Sequence, residues 1–234
     1  MKKLQTVLYC AILCLVSACS PDGGFDSLKK HYNAGGAIQK GPFVQGSSIT
    51  IQPLNKNLKP IGQMYTTQTT NDAGQFEMDG INSKYVEIIA NGFYFDEVAG
   101  SVSNAPLTLR SIADLNEESN TNVNLITTLV YSRIKTLADG KMSIKEAEKQ
   151  AERELYLALG IPEEFHPSRS SGSLNIAENG EGNDLLIAIS VVLQYGRNVG
   201  ELSELIAKLS SDLANDGEIS NKLLQELALS SDST

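Results

Sequence analysis

Serine and histidine side chains of the kind that form nucleophile–base pairs occur together in one polar segment, residues 161–183. These side chains are His166, Ser168, Ser170, Ser171 and Ser173. A serine hydrolase usually holds its nucleophile on a sharp strand-to-helix turn within a Gly-x-Ser-x-Gly motif, and this segment has neither feature. We therefore expect no serine catalysis here. Long polar segments are uncommon in compact domains, and we interpret this one as a mobile loop, with a lid or contact loop as the alternative.

A pair of acidic residues is the second candidate for chemistry. Asn91-Gly92 separates two apolar runs, Tyr85–Ala90 and Phe93–Val98, and this pattern is typical of a tight β-hairpin. Such a turn places Glu87 opposite Asp96. Like charges in that position are unfavourable, so the pair is a candidate cation site or catalytic acid, or simply a solvated pair relieved by a nearby Lys or Arg. The same register predicts a core face of Val86, Ile88, Ala90, Phe93 and Phe95.

Metal sites are not expected. The two histidines, His31 and His166, are far apart in sequence, and the three cysteines all lie within the first nineteen residues, so the usual zinc ligands are too few. Residues 212–223 partly fit a calcium loop, but Ala214 and Leu223 stand where two of the main ligands are needed. We interpret that stretch as a helix end and a turn.

Cys19 is the residue with the clearest predicted chemistry. Lys2 and Lys3 precede an apolar run from Leu4 to Val16, which has the length of a secretory signal and is too short to span a membrane. The sequence Val16-Ser17-Ala18-Cys19 that ends this run resembles a bacterial lipobox. The resemblance implies cleavage before Cys19, diacylglycerol on its thiol and fatty acylation, for example with palmitate, of the new amine. Two or three acyl chains anchor a protein stably.

Ser20 follows the cysteine, and by the sorting rule of Gram-negative lipoproteins this residue favours the outer membrane over inner-membrane retention. The sequence thus predicts a signal peptide at 1–18 and a flexible tether at 19–35, which is rich in Gly and polar residues. The mature chain contains only one cysteine, so no internal disulfide is expected.

The net charge of the chain argues against nucleic acid as a partner. The formal net charge is −9, and loss of residues 1–18 removes two lysines, so the mature charge is about −11. Nucleic-acid binding requires a basic surface, and we therefore expect none. We also expect no cofactor, because none of the motifs that bind cofactors was identified.

The remaining chain divides into two parts. Alternation in Ser48–Ile51, the turn at Asn71–Gly74 and the apolar strand Pro106–Arg110 predict short strands, and hence a small antiparallel β-sandwich over 36–116. A polar break follows, and we predict an all-α domain over 120–234, with Asn122 as the first N-cap. Ser143–Glu146 is a capping box for the next helix, which should end at Gly160. Leu185–Leu193 is apolar almost all round, which predicts a buried central helix.

The run Thr67-x-Thr69-x-Asn71-Asp72-Ala73-Gly74-x-Phe76 resembles the strand–turn–strand of carboxypeptidase-regulatory-like (transthyretin-like) domains, which are non-catalytic β-sandwiches. Together with Gly36–Phe43, it is also similar to a group of bacterial lipoproteins that combine such a sandwich with a helical region. The resemblance extends over most of residues 36–229. It implies an architecture and no active site. Some surface sandwiches contain Lys–Asn crosslinks, but Lys40 has no matching acid motif.

We therefore expect a non-catalytic, membrane-anchored envelope lipoprotein that acts as a binding or scaffolding module, with an envelope protein or glycan as partner. The alternatives are a structural or adhesive subunit of a surface assembly, which requires an open edge strand, and a hydrolase that uses Glu87 and Asp96. A clustered acidic pocket in the structure would favour the hydrolase.

Overall fold

A computed structural model describes residues 30–139, 141–180 and 182–231 of the chain. The fold is α+β, with strands in the N-terminal part and helices after them, as predicted. The strands are β1 (Tyr32–Gln39), β2 (Ser48–Leu54), β3 (Tyr65–Gln68), β4 (Gln75–Ile81), β5 (Tyr85–Gly92), β6 (Phe95–Asp96), β7 (Ser101–Val102), β8 (Leu107–Asp114) and β9 (Val123–Asn124). The helices are α1 (Leu125–Asp139), α2 (Ile144–Ala158), α3 (Asn183–Gln194), α4 (Val199–Asp216) and α5 (Asn221–Ser231). Among the described residues, none of these helices combines the length and apolarity needed to cross a bilayer.

The strands form two main sheets and a small ribbon. One sheet has the order β3-β2-β5-β8 and is antiparallel throughout. The other has the order β4-β1-β9, in which β1 pairs antiparallel with β4 and parallel with β9. Strands β6 and β7 form the ribbon. In β2, Ile49 and Ile51 are buried while Ser48 is exposed, so the predicted alternation is confirmed.

The predicted hairpin at Asn91-Gly92 is wrong. Strand β5 continues through both residues and pairs with β2 on one side and β8 on the other. Gly92 is needed here for close approach, because a Cβ at this position would lie 2.0 Å from Ser47 Oγ. Phe93 and Phe95, which were predicted in the core, are 43% and 45% exposed.

The two halves share one continuous cluster of buried apolar side chains. It includes Ile38 and Ile88 from strands and Leu129 and Leu155 from helices, all fully buried. Strand β1 begins at Tyr32, inside the segment predicted as a tether, and β9 lies beside β1 immediately before the first helix. The strands and helices are therefore held together by common packing as well as by sequence order.

Several helix boundaries follow from local chemistry. Ser143 and Glu146 form the predicted capping box of α2, and the following Gly160 has φ +71°. Helix α4 ends at Gly217 in left-handed conformation, so the partial calcium motif is indeed a helix end and a turn.

The start of helix α1 differs from the prediction. Asn124, rather than Asn122, accepts a hydrogen bond from the Thr127 backbone NH at 3.0 Å. Asn122 instead accepts from the Ala37 NH at 2.8 Å.

Helix α3 is buried on one face only, contrary to the prediction of a fully buried helix. Leu186, Ile189 and Leu193 face the core, whereas Ile187 and Val192 are exposed. The polar segment before it, residues 161–183, includes two short 3-10 helices, Glu163–Phe165 and Ser171–Ser173. Ser171 and Leu174 are fully buried, so this segment packs against the rest of the fold.

Candidate functional site

Helix α2 carries three polar side chains in a row that face a cavity. The capping box determines where the helix begins, and Ala147, Ala151 and Leu155 then point into the apolar core. Glu148, Glu152 and Tyr156 each lie one position further along the chain. They therefore form a parallel stripe at i, i+4 and i+8 on a neighbouring face.

The cavity beside this stripe has a volume of about 750 Å³ and is formed by three separate parts of the chain. Helix α2 supplies one wall. A second wall comes from the end of β8 and the segment after it, including Ile112, Ala113 and Glu118, and residues 166–170 supply the third. Ile112 and Ala113 are buried apolar side chains. The combination of apolar wall and convergent polar groups in a cavity of this size is typical of small-molecule binding sites.

Glu152 is a buried acidic residue that lines the cavity. Glu152 is 7% exposed, and its Oε1 accepts a hydrogen bond from the Ser171 backbone NH at 2.6 Å. Burial raises the pKa of this carboxyl, although the hydrogen bonds from Ser171 oppose that effect. Among the described residues, Glu152 forms no ion pair.

Glu148 lies one turn earlier and is partly buried. Burial, followed by repulsion from Glu152 and Glu118, raises its pKa to about 8, while Lys145 acts in the opposite direction. At neutral pH this carboxyl is therefore largely protonated. It would ionise readily if a positive charge entered the cavity.

Tyr156 completes the stripe and has an unusual environment. It is 2% exposed, and in the part of the chain that the structure describes its hydroxyl has no hydrogen-bond partner. Burial and the charges of Glu152 and Glu148 raise its pKa, so the phenol stays protonated. A buried hydroxyl without a partner costs about 1–3 kcal/mol. A bound molecule that supplied an acceptor or donor at this point would remove that penalty.

His166 lies against the same residue. Its ring centroid is 5.0 Å from that of Tyr156, and its Nε2 is 2.9 Å from the Ile161 carbonyl oxygen. His166, Ser168 and Ser170 all line the cavity. Their residue types are those of a nucleophile–base pair, but the sequence around them lacks the turn that serine catalysis needs, and no such catalysis was expected. In the structure His166 is held by a backbone carbonyl, and it supports the wall beside Tyr156.

The acidic pair predicted from the hairpin is not formed. Glu87 is buried and forms an ion pair with Arg110 at 2.6 Å, because β5 lies beside β8. Asp96 Oδ1 instead accepts hydrogen bonds from the Val98 and Ala99 backbone NH groups. Glu87 and Asp96 therefore have separate structural roles, and neither belongs to the cavity.

Lys40 is part of a second buried polar cluster, between the strands and α3. Its side chain is completely buried, and its Nζ lies 2.7 Å from Glu97 Oε1. Ser190 of α3 donates its hydroxyl to the Lys40 carbonyl oxygen at 2.7 Å and lies within hydrogen-bond distance of Glu97. Burial lowers the pKa of Lys40, while its hydrogen bond to Glu97 opposes this effect. The cluster joins the two halves of the fold.

Sequence reasoning missed Glu148, Glu152 and Tyr156 as a group. The available signal was their i, i+4, i+8 spacing, but on an amphipathic helix this spacing also describes an ordinary solvated face. Among the described residues no group of three His, Cys, Asp or Glu side chains could hold a metal ion. Cys19, the predicted lipidation site, lies outside the described residues.

Comparisons of the chain with protein-family models, with curated proteins and with solved structures found no match.

Proposed function

We propose that this chain is a non-catalytic binding module of the bacterial cell envelope, anchored through lipid on Cys19, and that the cavity along α2 is its binding site. The observation that carries the proposal is the buried Tyr156 hydroxyl, which has no partner among the described residues and lies beside two carboxyl groups in a cavity of about 750 Å³. The lipobox resemblance and the small residues before Cys19 support the anchor.

The proposal includes a finer description of the fold. We propose that the strands form a β-sandwich of the carboxypeptidase-regulatory-like kind and that the helices form a domain against it. The resemblance at Thr67–Phe76 and the two main sheets support the first part. The outer membrane is the proposed location, on the basis of Ser20. The proposed partner is an envelope protein or glycan that presents a small group to the cavity.

The anchor and the cavity can be tested in the same cells. Intact-mass analysis of the wild-type protein should show cleavage before Cys19 and addition of diacylglycerol, and Cys19→Ser should abolish both.

Pulldown from wild-type cells, with the partner identified by mass spectrometry, tests the cavity. It should recover a partner that is lost with Glu152→Gln and retained with Glu164→Gln. Glu164 is an exposed residue outside the cavity, so it controls for loss of one negative charge. An unmodified Cys19 would refute the anchor, and a partner retained by both variants would refute the binding site.

Hydrolysis is a second candidate function, favoured by the carboxyl pair on α2 rather than by Glu87 and Asp96. The raised pKa of Glu148 is of the kind that enzymes use for a general acid. Turnover of envelope glycans or peptides by the purified full chain, lost in Glu148→Gln, would establish it. Saturable binding without any turnover would favour the binding module.

The structural-subunit alternative requires an open strand edge for an incoming strand. At the outer edge of β8, the backbone NH of Arg110 donates to Thr128 Oγ1 at 2.9 Å. Its carbonyl accepts from Thr127 Oγ1 at 2.9 Å. Helix α1 therefore occupies that edge at Arg110, so an incoming strand cannot pair with β8 there.

A further inference from the structure

We infer that the α2 cavity binds its ligand through a protonated amine on a short apolar stem, with the ammonium group between Glu148, Glu152 and Tyr156. This inference rests on the proposed function and specifies the chemical class that the site takes. It covers an amine carried by a free small molecule, an amino sugar or a lysine side chain, because all three present the same group.

The first argument is the charge of Glu148 and Glu152, the two acidic side chains of the α2 stripe. Glu152 is nearly fully buried, Glu148 is partly buried one turn away, and Glu118 also lines the cavity. Neither Glu148 nor Glu152 forms an ion pair within the described residues. A cation that entered the cavity would favour ionisation of both carboxyl groups, which have no ion-pair partner among the described residues.

The second argument comes from the Tyr156 hydroxyl, which is buried and has no hydrogen-bond partner among the described residues. An ammonium group has three N–H donors and no acceptor, so it can donate to the phenol oxygen and to two carboxylates at once. An incoming carboxylate could accept from the phenol, but it would then lie beside Glu152 and be repelled.

The third argument concerns the shape of the wall. Ile112 and Ala113, two buried apolar residues near the end of β8, line the cavity. Because successive strand residues point to opposite faces, one of these two side chains faces the cavity. The basic side chains that line it, Lys145, Lys149, Arg153 and Arg169, are exposed. Arg153 is also paired with Glu163 at 2.7 Å. An alkyl stem fits against the apolar wall, whereas an anionic ligand would be restricted to the solvated rim.

Three probes of equal chain length separate the ligand classes: n-butylamine, 1-butanol and butyrate. The measurement is the NMR chemical shift of Tyr156 in full-length protein with labelled tyrosines, assigned by Tyr156→Phe. We expect butylamine to shift the Tyr156 signals in a saturable way, and the other two probes to bind at least about tenfold more weakly. The variant Glu148→Gln/Glu152→Gln should weaken butylamine binding about tenfold or more, while Glu164→Gln should not change it.

Two other results would contradict the inference. If butanol or butyrate binds as tightly as butylamine, the amine class is refuted while the cavity remains a binding site. If none of the three probes, nor any member of a broad fragment set, shifts Tyr156, both this inference and the proposed binding site fail. Glutamine keeps the size of glutamate and one acceptor oxygen, which at position 152 can still accept from the Ser171 backbone NH, so the double variant should fold. Its unfolding curve verifies this.

Discussion

Two buried acidic sites in this molecule differ in where their positive charge comes from. At the junction of strands and α3, Glu97 is paired with the buried Lys40 of the same chain and with Ser190. In the α2 cavity, Glu148 and Glu152 have no ion-pair partner among the described residues, and the nearby Tyr156 hydroxyl has no partner. The first site has its cation within the chain, although Glu97 Oε2 is also buried without a hydrogen-bond partner among the described residues, and its ion pair contributes to the fold. The second opens to a cavity and is incomplete, and so it suits a ligand.

Removal of Lys40 should give the largest effect on stability. In Lys40→Met the carboxylate of Glu97 keeps its buried position without a cation, and we expect a loss of about 3 kcal/mol in the free energy of unfolding. This is the lower end of the usual range, because the Glu97 side chain is 24% exposed. Denaturant unfolding measures the change. Lys59→Met is the matched control: its ion pair with Asp139 is 3.5 Å long and exposed, and its loss should cost less than about 1 kcal/mol.

A double variant sharpens this result. Lys40→Met/Glu97→Gln removes both charges, and it should recover most of the stability that Lys40→Met loses. If the double variant is as unstable as the single one, packing of the lysine stem rather than charge pairing would dominate at this site.

In the α2 cavity, by contrast, removal of an acidic side chain should raise the free energy of unfolding. The pKa of Glu148 is raised from 4.5 to about 8, so the folded protein retains a proton that the unfolded chain has lost between these values. Stability attributable to this group is therefore highest at acidic pH and falls as pH rises towards 8. Glu148→Gln should remove that loss. We expect it to stabilise the protein by at least about 1 kcal/mol near pH 9, and by little below pH about 5.

Unfolding curves of wild type and Glu148→Gln over this pH range make the measurement, with Glu164→Gln as the exposed control. The groups that act on Glu148 are Glu152, Glu118 and Lys145. A stability difference that does not depend on pH would show that Glu148 titrates normally, and the contrast between the two acidic sites would then be lost.

The smallest effects concern two buried tyrosines. The Tyr94 hydroxyl donates to Gln194 Oε1 at 2.8 Å, whereas the Tyr156 hydroxyl has no partner among the described residues. We expect Tyr94→Phe to cost about 1 kcal/mol, and Tyr156→Phe to stabilise the protein by about 1 kcal/mol, because it removes a buried hydroxyl that has no partner. Thermal and denaturant unfolding of both variants can resolve this difference. An equal cost at both positions would indicate that the Tyr156 hydroxyl is already satisfied in the free protein.

Local sequence patterns predicted the parts of the fold that depend on near neighbours. The capping box of α2, the helix end at Gly217 and the alternation in β2 each rest on interactions within a few residues, and each is confirmed. The Asn91-Gly92 hairpin failed for the complementary reason. Asn-Gly suits a tight turn, but glycine also suits a place where another part of the chain approaches the backbone closely. Here that part contains Ser47, which is far away in the sequence.

The candidate cavity could not be predicted, because its three walls come from α2, from the segment after β8 and from residues 166–170. Spacing along α2 places Glu148, Glu152 and Tyr156 on one face, but it does not show what that face meets. Likewise, the ion pair of Glu87 with Arg110 depends on β5 lying beside β8. The ion pair of Lys40 with Glu97 joins residues that are distant in the sequence.

The sequence by itself determined the order of strands before helices, the acidic net charge, and the caps that start and stop individual helices. These properties follow from composition and from contacts of short range. Only the tertiary structure decided which acidic side chains are paired with a cation and which face a cavity. That choice depends on desolvation and on partners distant in the chain, and both arise only when the elements pack.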